Sequence, residues 1–265
     1  MNRAHLKEEA KKQFRAQYWP CVGVQAVVML ISTALMWITG SLDGVQTMFT
    51  NPQAAIEGAE PSALLMLLVS LLTGIVSIEV SFFYLRVFRG EKVPVGEFFA
   101  GLAADVGRKA GAFLWQILFL SLWGMAGAIP LGVVFLLVPT PVAFWLTMYG
   151  LLMVIIAKGL AYSMMFYIIR DCPKVTVREA LRQSIALMKG SKGRLFVLML
   201  SLLGWFLLTS AAGYLSLGVG WWLPLTIGCS IASVLYVGPY IAITMAGFYH
   251  AVKQEGLANG VISEE

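Results

Sequence analysis

Basic residues are confined to alternate gaps in this sequence. Of its 19 Lys and Arg residues, all but Lys158 fall in four short segments, and long apolar runs separate those segments. The first segment carries Arg3, Lys7, Lys11, Lys12 and Arg15. The second carries Arg86, Arg89, Lys92, Arg108 and Lys109. The third has Arg170, Lys174, Arg178, Arg182, Lys189, Lys192 and Arg194, and the C-terminal tail has Lys253. The three intervening connections have none. Short loops rich in Lys and Arg stay on the cytoplasmic side of a bilayer. An alternation this strict predicts a chain woven through a membrane, with both termini cytoplasmic.

A helix crossing hydrocarbon needs about 20 apolar residues. Six runs qualify: Cys21–Thr39, Ser62–Leu85, Ala112–Leu137, Val142–Ile169, Leu195–Leu217 and Trp222–Tyr249. The first is full spanning length and lacks a small-residue cleavage site, so it reads as a retained span rather than a signal peptide. Composition agrees. The chain is 59% hydrophobic and 12% charged, against about 45–50% and about 25% in soluble domains. The connection at 40–61 carries Asp43, Glu57 and Glu60 and is expected outside. Trp37, Trp221 and Trp222 stand at the level of an outer aromatic belt, Tyr18 and Trp19 at the inner one. Pro130 and Pro239 each remove a backbone donor within a run and predict kinks. The formal charge of +5 belongs to the cytoplasmic segments and does not point to nucleic acid. Cys21, Cys172 and Cys229 fit neither a zinc pattern nor a disulfide framework.

The cytoplasmic segments are themselves patterned. Thr176-Val177-Arg178-Glu179 has the form of a helix capping box. Val177, Leu181, Ile185 and Met188 then fall on one face at helical spacing, and Gly190 suits a C-terminal cap. Lys92-Val93-Pro94-Val95-Gly96-Glu97 parallels Lys174–Glu179 at an offset of 82 residues, with Val95, Phe99, Leu102 and Val106 as its stripe. Leu6, Ala10 and Phe14 form a third. Phe83-Tyr84, Phe166-Tyr167 and Phe248-Tyr249 close the even-numbered runs at offsets of 83 and 82.

The expected fold class is therefore all-α. It is a polytopic membrane protein of six transmembrane helices, arranged as three pseudo-repeated units of an amphipathic interfacial helix plus a transmembrane hairpin. Residues 1–252 form one membrane domain (repeat units 1–85, 86–169 and 170–252), and 253–265 a short polar cytoplasmic tail. Gly124, Ala128 and Gly132, and Gly238, Ala242 and Ala246, make small-residue stripes for close helix contact.

The stretches Ser184-Ile185-Ala186-Leu187-Met188-Lys189-Gly190, Arg194-Leu195-Phe196 and Ser201-Leu202-Leu203-Gly204-Trp205 carry a resemblance, with Asp171-Cys172-Pro173, Pro239-Tyr240 and Phe248-Tyr249. They resemble the bacterial membrane family known as domain of unknown function 975. Leu187-Met188 stands where that family commonly has two methionines. The resemblance implies a polytopic bacterial membrane protein and supplies no activity.

Chemistry is sparse. His5 and His250 lack metal-ligand neighbours at coordinating spacing, and there is no nucleophile elbow or phosphate-cradling glycine loop. The chain is expected not to be an enzyme and to need no cofactor. Glu79 and Lys158 are ionisable residues inside spans, and such residues are candidate functional sites. They are expected to form an intramembrane polar pair. The expected partners are the lipid bilayer and a lipid or protein bound in it, with no nucleic acid. The expected location is the bacterial inner membrane. Two roles fit: a non-enzymatic scaffold or accessory protein, or a transporter or channel for a small solute or lipid.

Overall fold

The computed structural model describes residues 3–39, 63–138, 140–216, 228 and 231–260. The 40–61 connection, Trp221, Trp222, Cys229 and the outer part of the sixth expected span lie outside these residues. The described chain is all-α and no strand occurs among the described residues. Its helices are α1 (Arg3–Ala16), α2 (Tyr18–Ile38), α3 (Ala63–Phe88), α4 (Val95–Ala103), α5 (Val106–Leu137), α6 (Pro141–Tyr162), α7 (Met165–Asp171), α8 (Val177–Leu187), α9 (Lys192–Ser216) and α10 (Gly238–Ala258).

Among the described residues, four helices are long and apolar enough to cross a membrane: Tyr18–Ile38, Leu64–Phe88, Val106–Val134 and Val142–Asp171. They fall on the first four expected spans. The fifth expected span falls on α9. α5 runs through Pro130 as one helix. Upstream of Pro239, the turn Ser233–Val237 is a π-helix, a wider turn that absorbs a break in the α-helical ladder.

The chain divides into two compact units, Met1–Val106 with Met199–Phe248, and Gly107–Leu198 with Tyr249–Glu265. In the first unit, α1 buries the expected stripe Leu6, Ala10 and Phe14. Burial of large apolar side chains such as Leu6 and Phe14 stabilises by about 1.5–3 kcal/mol each. The α10 backbone comes so close at Gly247 that a Cβ there would strike Phe88 and Leu6, and at Gly238 it would strike Gln25. The α10 small-residue stripe is thus used for close packing, and Ala246 is fully buried. The α5 stripe is not used that way, since neither Gly124 nor Gly132 meets a neighbour within 4 Å among the described residues. α5 instead places Gly127 against Leu151 of α6.

The interfacial helices need two corrections. α4 ends at Ala103, because Ala104 is extended and Asp105 has φ of 49°, so the helix does not reach Val106 of the expected stripe. It buries Phe98 rather than Phe99, which is 51% exposed. The physical reason is the edge-on contact of the Phe98 ring with Phe83, at 6.4 Å and 88°. In the second unit, α8 starts at the expected cap, with Thr176 Oγ1 accepting the Glu179 N–H at 3.3 Å. Gly190 follows with φ of 85°, the left-handed conformation glycine adopts at helix ends. Leu181 and Met188 are buried as expected, and Leu187, outside the expected stripe, is buried too, while Ser184 is buried instead of Ile185. Ser184 earns that place by donating its hydroxyl to the Ala161 carbonyl at 2.8 Å.

Candidate functional site

Glu79 and Lys158 are placed by different units, so each is described with its own neighbours. Glu79 lies on α3 and is 8% exposed. Its carboxylate rests on the backbone of α4 at Gly101, where any Cβ would collide with it. Glycine is the residue that permits this approach. Lys158 lies on α6, half-buried, and its ammonium stands 3.3 Å from the centroid of the Trp123 ring on α5. A cation over an indole face is held by the ring quadrupole. The α5–α6 hairpin thus brings Lys158 a partner that charge counting does not suggest.

The Phe-Tyr pairs are mostly buried: Phe83, Tyr84, Tyr167, Phe248 and Tyr249 are each at most 6% exposed, and Phe166 is half-buried. The Tyr84 hydroxyl donates to the Cys21 carbonyl at 3.1 Å. Tyr167 and Tyr249 stack with centroids 5.0 Å apart and planes at 17°. Tyr249 donates its hydroxyl to Asp171 Oδ2 at 2.9 Å, and Lys253 donates to the same oxygen at 2.7 Å. Asp171 was visible in the sequence only as part of the family resemblance.

Three polar side chains tie helix junctions to the segments that follow a span. Gln17, between α1 and α2, donates to the Glu91 carbonyl at 2.6 Å and accepts from the Val93 N–H at 3.1 Å. Arg108, at the start of α5, forks onto the Cys172 and Val175 carbonyls at 2.9 and 2.8 Å. Arg194, at the start of α9, grips both oxygens of Glu255 at 2.9 and 2.6 Å and also donates to Ser191. The Arg194 hydrogen bonds hold the Glu255 carboxyl below the usual carboxylate range, and those bonds in turn raise the Arg194 guanidinium. Two of the positions held through their backbone, Val93 and Val175, are 82 residues apart. That is the offset of the sequence motifs.

The first unit also carries an open groove of about 610 Å³ between the α1–α2 junction and the turn at 90–94, with Arg15, Gln17, Tyr18, Trp19 and Lys92 among its lining. Trp19 is 77% exposed at the start of α2, and Trp37 is 77% exposed near its other end. Among the described residues no group of three or more His, Cys, Asp or Glu side chains is arranged to hold a metal ion.

No curated protein and no solved structure matches the chain. A family model does, over residues 1–256. That match spans nearly the whole sequence, both units and all the clamps above, and places the chain in the family described as protein of unknown function DUF975.

Proposed function

We propose that the protein is a non-enzymatic scaffold or accessory protein of the bacterial inner membrane, built of three tandem units with six spans and both termini cytoplasmic. The membrane placement is supported by the apolar coat. Leu118, Leu122, Met125 and Ile129 on α5 are each 40% exposed or more, and an apolar surface that continuous calls for lipid or a partner. Trp19 and Trp37 are 18 residues apart, about 27 Å at helical rise, close to the roughly 30 Å of hydrocarbon. The threefold organisation is supported by the Phe-Tyr pairs at offsets of 83 and 82 residues.

The observation that carries the scaffold role is the seat of Lys158 on Trp123. The one basic residue deep in a span is satisfied locally, by an aromatic face of the same hairpin. A substrate site would leave such a cation open to an aqueous path. The second reading, a transporter or channel for a small solute or lipid, is favoured by Gln116. Its Oε1 is buried with no donor among the described residues, and it lies seven residues from Trp123, on the same face of α5.

Cysteine accessibility separates the two. In a background with Cys21, Cys172 and Cys229 changed to Ala, Lys158→Cys is treated with a membrane-impermeant thiol reagent from either side. The scaffold reading expects no labelling from either side at rates comparable to a loop cysteine. Labelling from one side would put Lys158 in a wet path and transfer the weight to transport. Reporter fusions at Lys92 and Ser191 should read inside and one at Ala55 outside. An inside signal at Ala55 would sink the topology.

A further inference from the structure

We infer that the groove at the α1–α2 junction is a binding site for the headgroup of an anionic phospholipid of the leaflet in which the inner end of α2 lies. The groove has two walls. One is the last turn of α1 with the first turn of α2, and the other is the turn running from Gly90 to Pro94. The walls are fixed to each other. The Gln17 amide bonds the Glu91 carbonyl and the Val93 N–H, so one side chain holds both ends of the turn. Gly90 makes that turn with φ of 81°, a left-handed conformation that a residue with a side chain adopts only at a cost. Beside it, Glu91 is engaged by Arg86 at 2.7 Å, which takes its charge away from the groove.

The lining carries two positive side chains, Arg15 and Lys92, one on each wall, and no acidic one. Both are exposed. Tyr18 and Trp19 form the edge of the groove on the apolar helix, with ring centroids 5.4 Å apart and planes at 75°. Indole and phenol rings favour the depth of lipid headgroups. The set therefore combines a charge pair for a phosphate with an aromatic edge at the height where a lipid phosphate lies. A guanidinium matches phosphate oxygens by geometry and an ammonium adds a point charge. A soluble anion would use the charges but gain nothing from Trp19. That difference assigns the site to a lipid.

The inference rests on the membrane placement proposed above and is independent of the choice between scaffold and transporter. It is tested with the full chain in nanodiscs of phosphatidylcholine alone or with 30% phosphatidylglycerol (by way of about 1:2 mixing), reading retained lipid by native mass spectrometry. Wild type should retain phosphatidylglycerol over phosphatidylcholine. The double variant Arg15→Gln/Lys92→Gln should lose roughly 10- to 30-fold of that preference, the worth of two basic side chains near an anionic surface. Arg178→Gln/Arg182→Gln removes the same charge from exposed positions outside the groove and should leave the preference intact. Trp19→Ala should lower retention of the lipid without restoring phosphatidylcholine. Circular dichroism and size exclusion confirm that each variant is folded. Equal losses in the two double variants would reduce the effect to net charge and overturn the site. Displacement of the lipid by millimolar inorganic phosphate would overturn the lipid assignment in favour of a soluble anion. Failure to enter nanodiscs at all would instead count against the membrane placement.

Discussion

The Asp171 carboxylate, only 5% exposed, takes the Lys253 ammonium at 2.7 Å. The same oxygen accepts the Tyr249 hydroxyl, so two residues one helical turn apart on α10 converge on the end of α7. Removing one partner of such a pair strands the other. Asp171→Asn should destabilise the protein by about 2–4 kcal/mol, less than a fully buried pair because Lys253 is 21% exposed. Adding Lys253→Met should recover part of the loss. Thermal unfolding in detergent checks both. Additive losses would reject the coupling.

Lys158 and Trp123 should behave as a unit. Trp123→Leu removes the ring that seats the cation, and the lysine would then need a new partner inside the span. The expected coupling in a double-mutant cycle with Lys158→Met is about 1–2 kcal/mol, the range for a partly desolvated cation over indole. A coupling near zero would show that the contact adds nothing to stability.

Gly101 should not tolerate a side chain. A methyl there would drive into the Glu79 carboxyl group, which is buried and has to shift to make room. Gly101→Ala should cost about 1–3 kcal/mol, as overpacking does. The double change with Glu79→Ala should relieve the clash. If Gly101→Ala alone is neutral by thermal unfolding, the approach of α3 to α4 is looser than described.

The Arg194–Glu255 clamp should fade in acid. Glu255 titrates lower when folded than when unfolded, so its contribution is present above the ordinary glutamate value near 4.3 and is lost as pH falls through the lowered folded value. Both side chains are more than a third exposed, and the pair is worth no more than about 1 kcal/mol after screening. Glu255→Gln should lower the unfolding temperature slightly at pH 7 and by less near pH 3. An equal effect at both pH values would mean the side chain acts by packing.

Much of the helical plan was legible because it depends on periods and caps. The α1 stripe and the α8 cap followed from spacing alone. The misses have one physical origin, since spacing names a face but not the neighbour that face meets. Phe98 displaced Phe99 because Phe83 offered a ring edge, and Ser184 displaced Ile185 because the Ala161 carbonyl offered an acceptor. Glu79 and Lys158 stood out as ionisable residues in apolar runs. Their surroundings did not, because the glycine and the tryptophan beside them come from segments 22 and 35 residues away. Gln17 and Arg108 gave no signal, as polar residues beside basic segments are ordinary there.

The wide turn at Ser233–Val237 changes which side chains share a side of the last helix. A π-turn takes one residue more than an α-turn, and each residue of an α-helix advances the direction of its side chain by about 100°. Positions before residue 233 are therefore out of phase with those after 237 by about that angle, and a helical wheel drawn straight through would assign opposite neighbours wrongly. Tyr236, inside the turn, meets Phe14 at 5.6 Å, and Gly238, two residues on, closes against Gln25. Deleting one residue from the turn would restore the regular ladder and pull those two contacts apart.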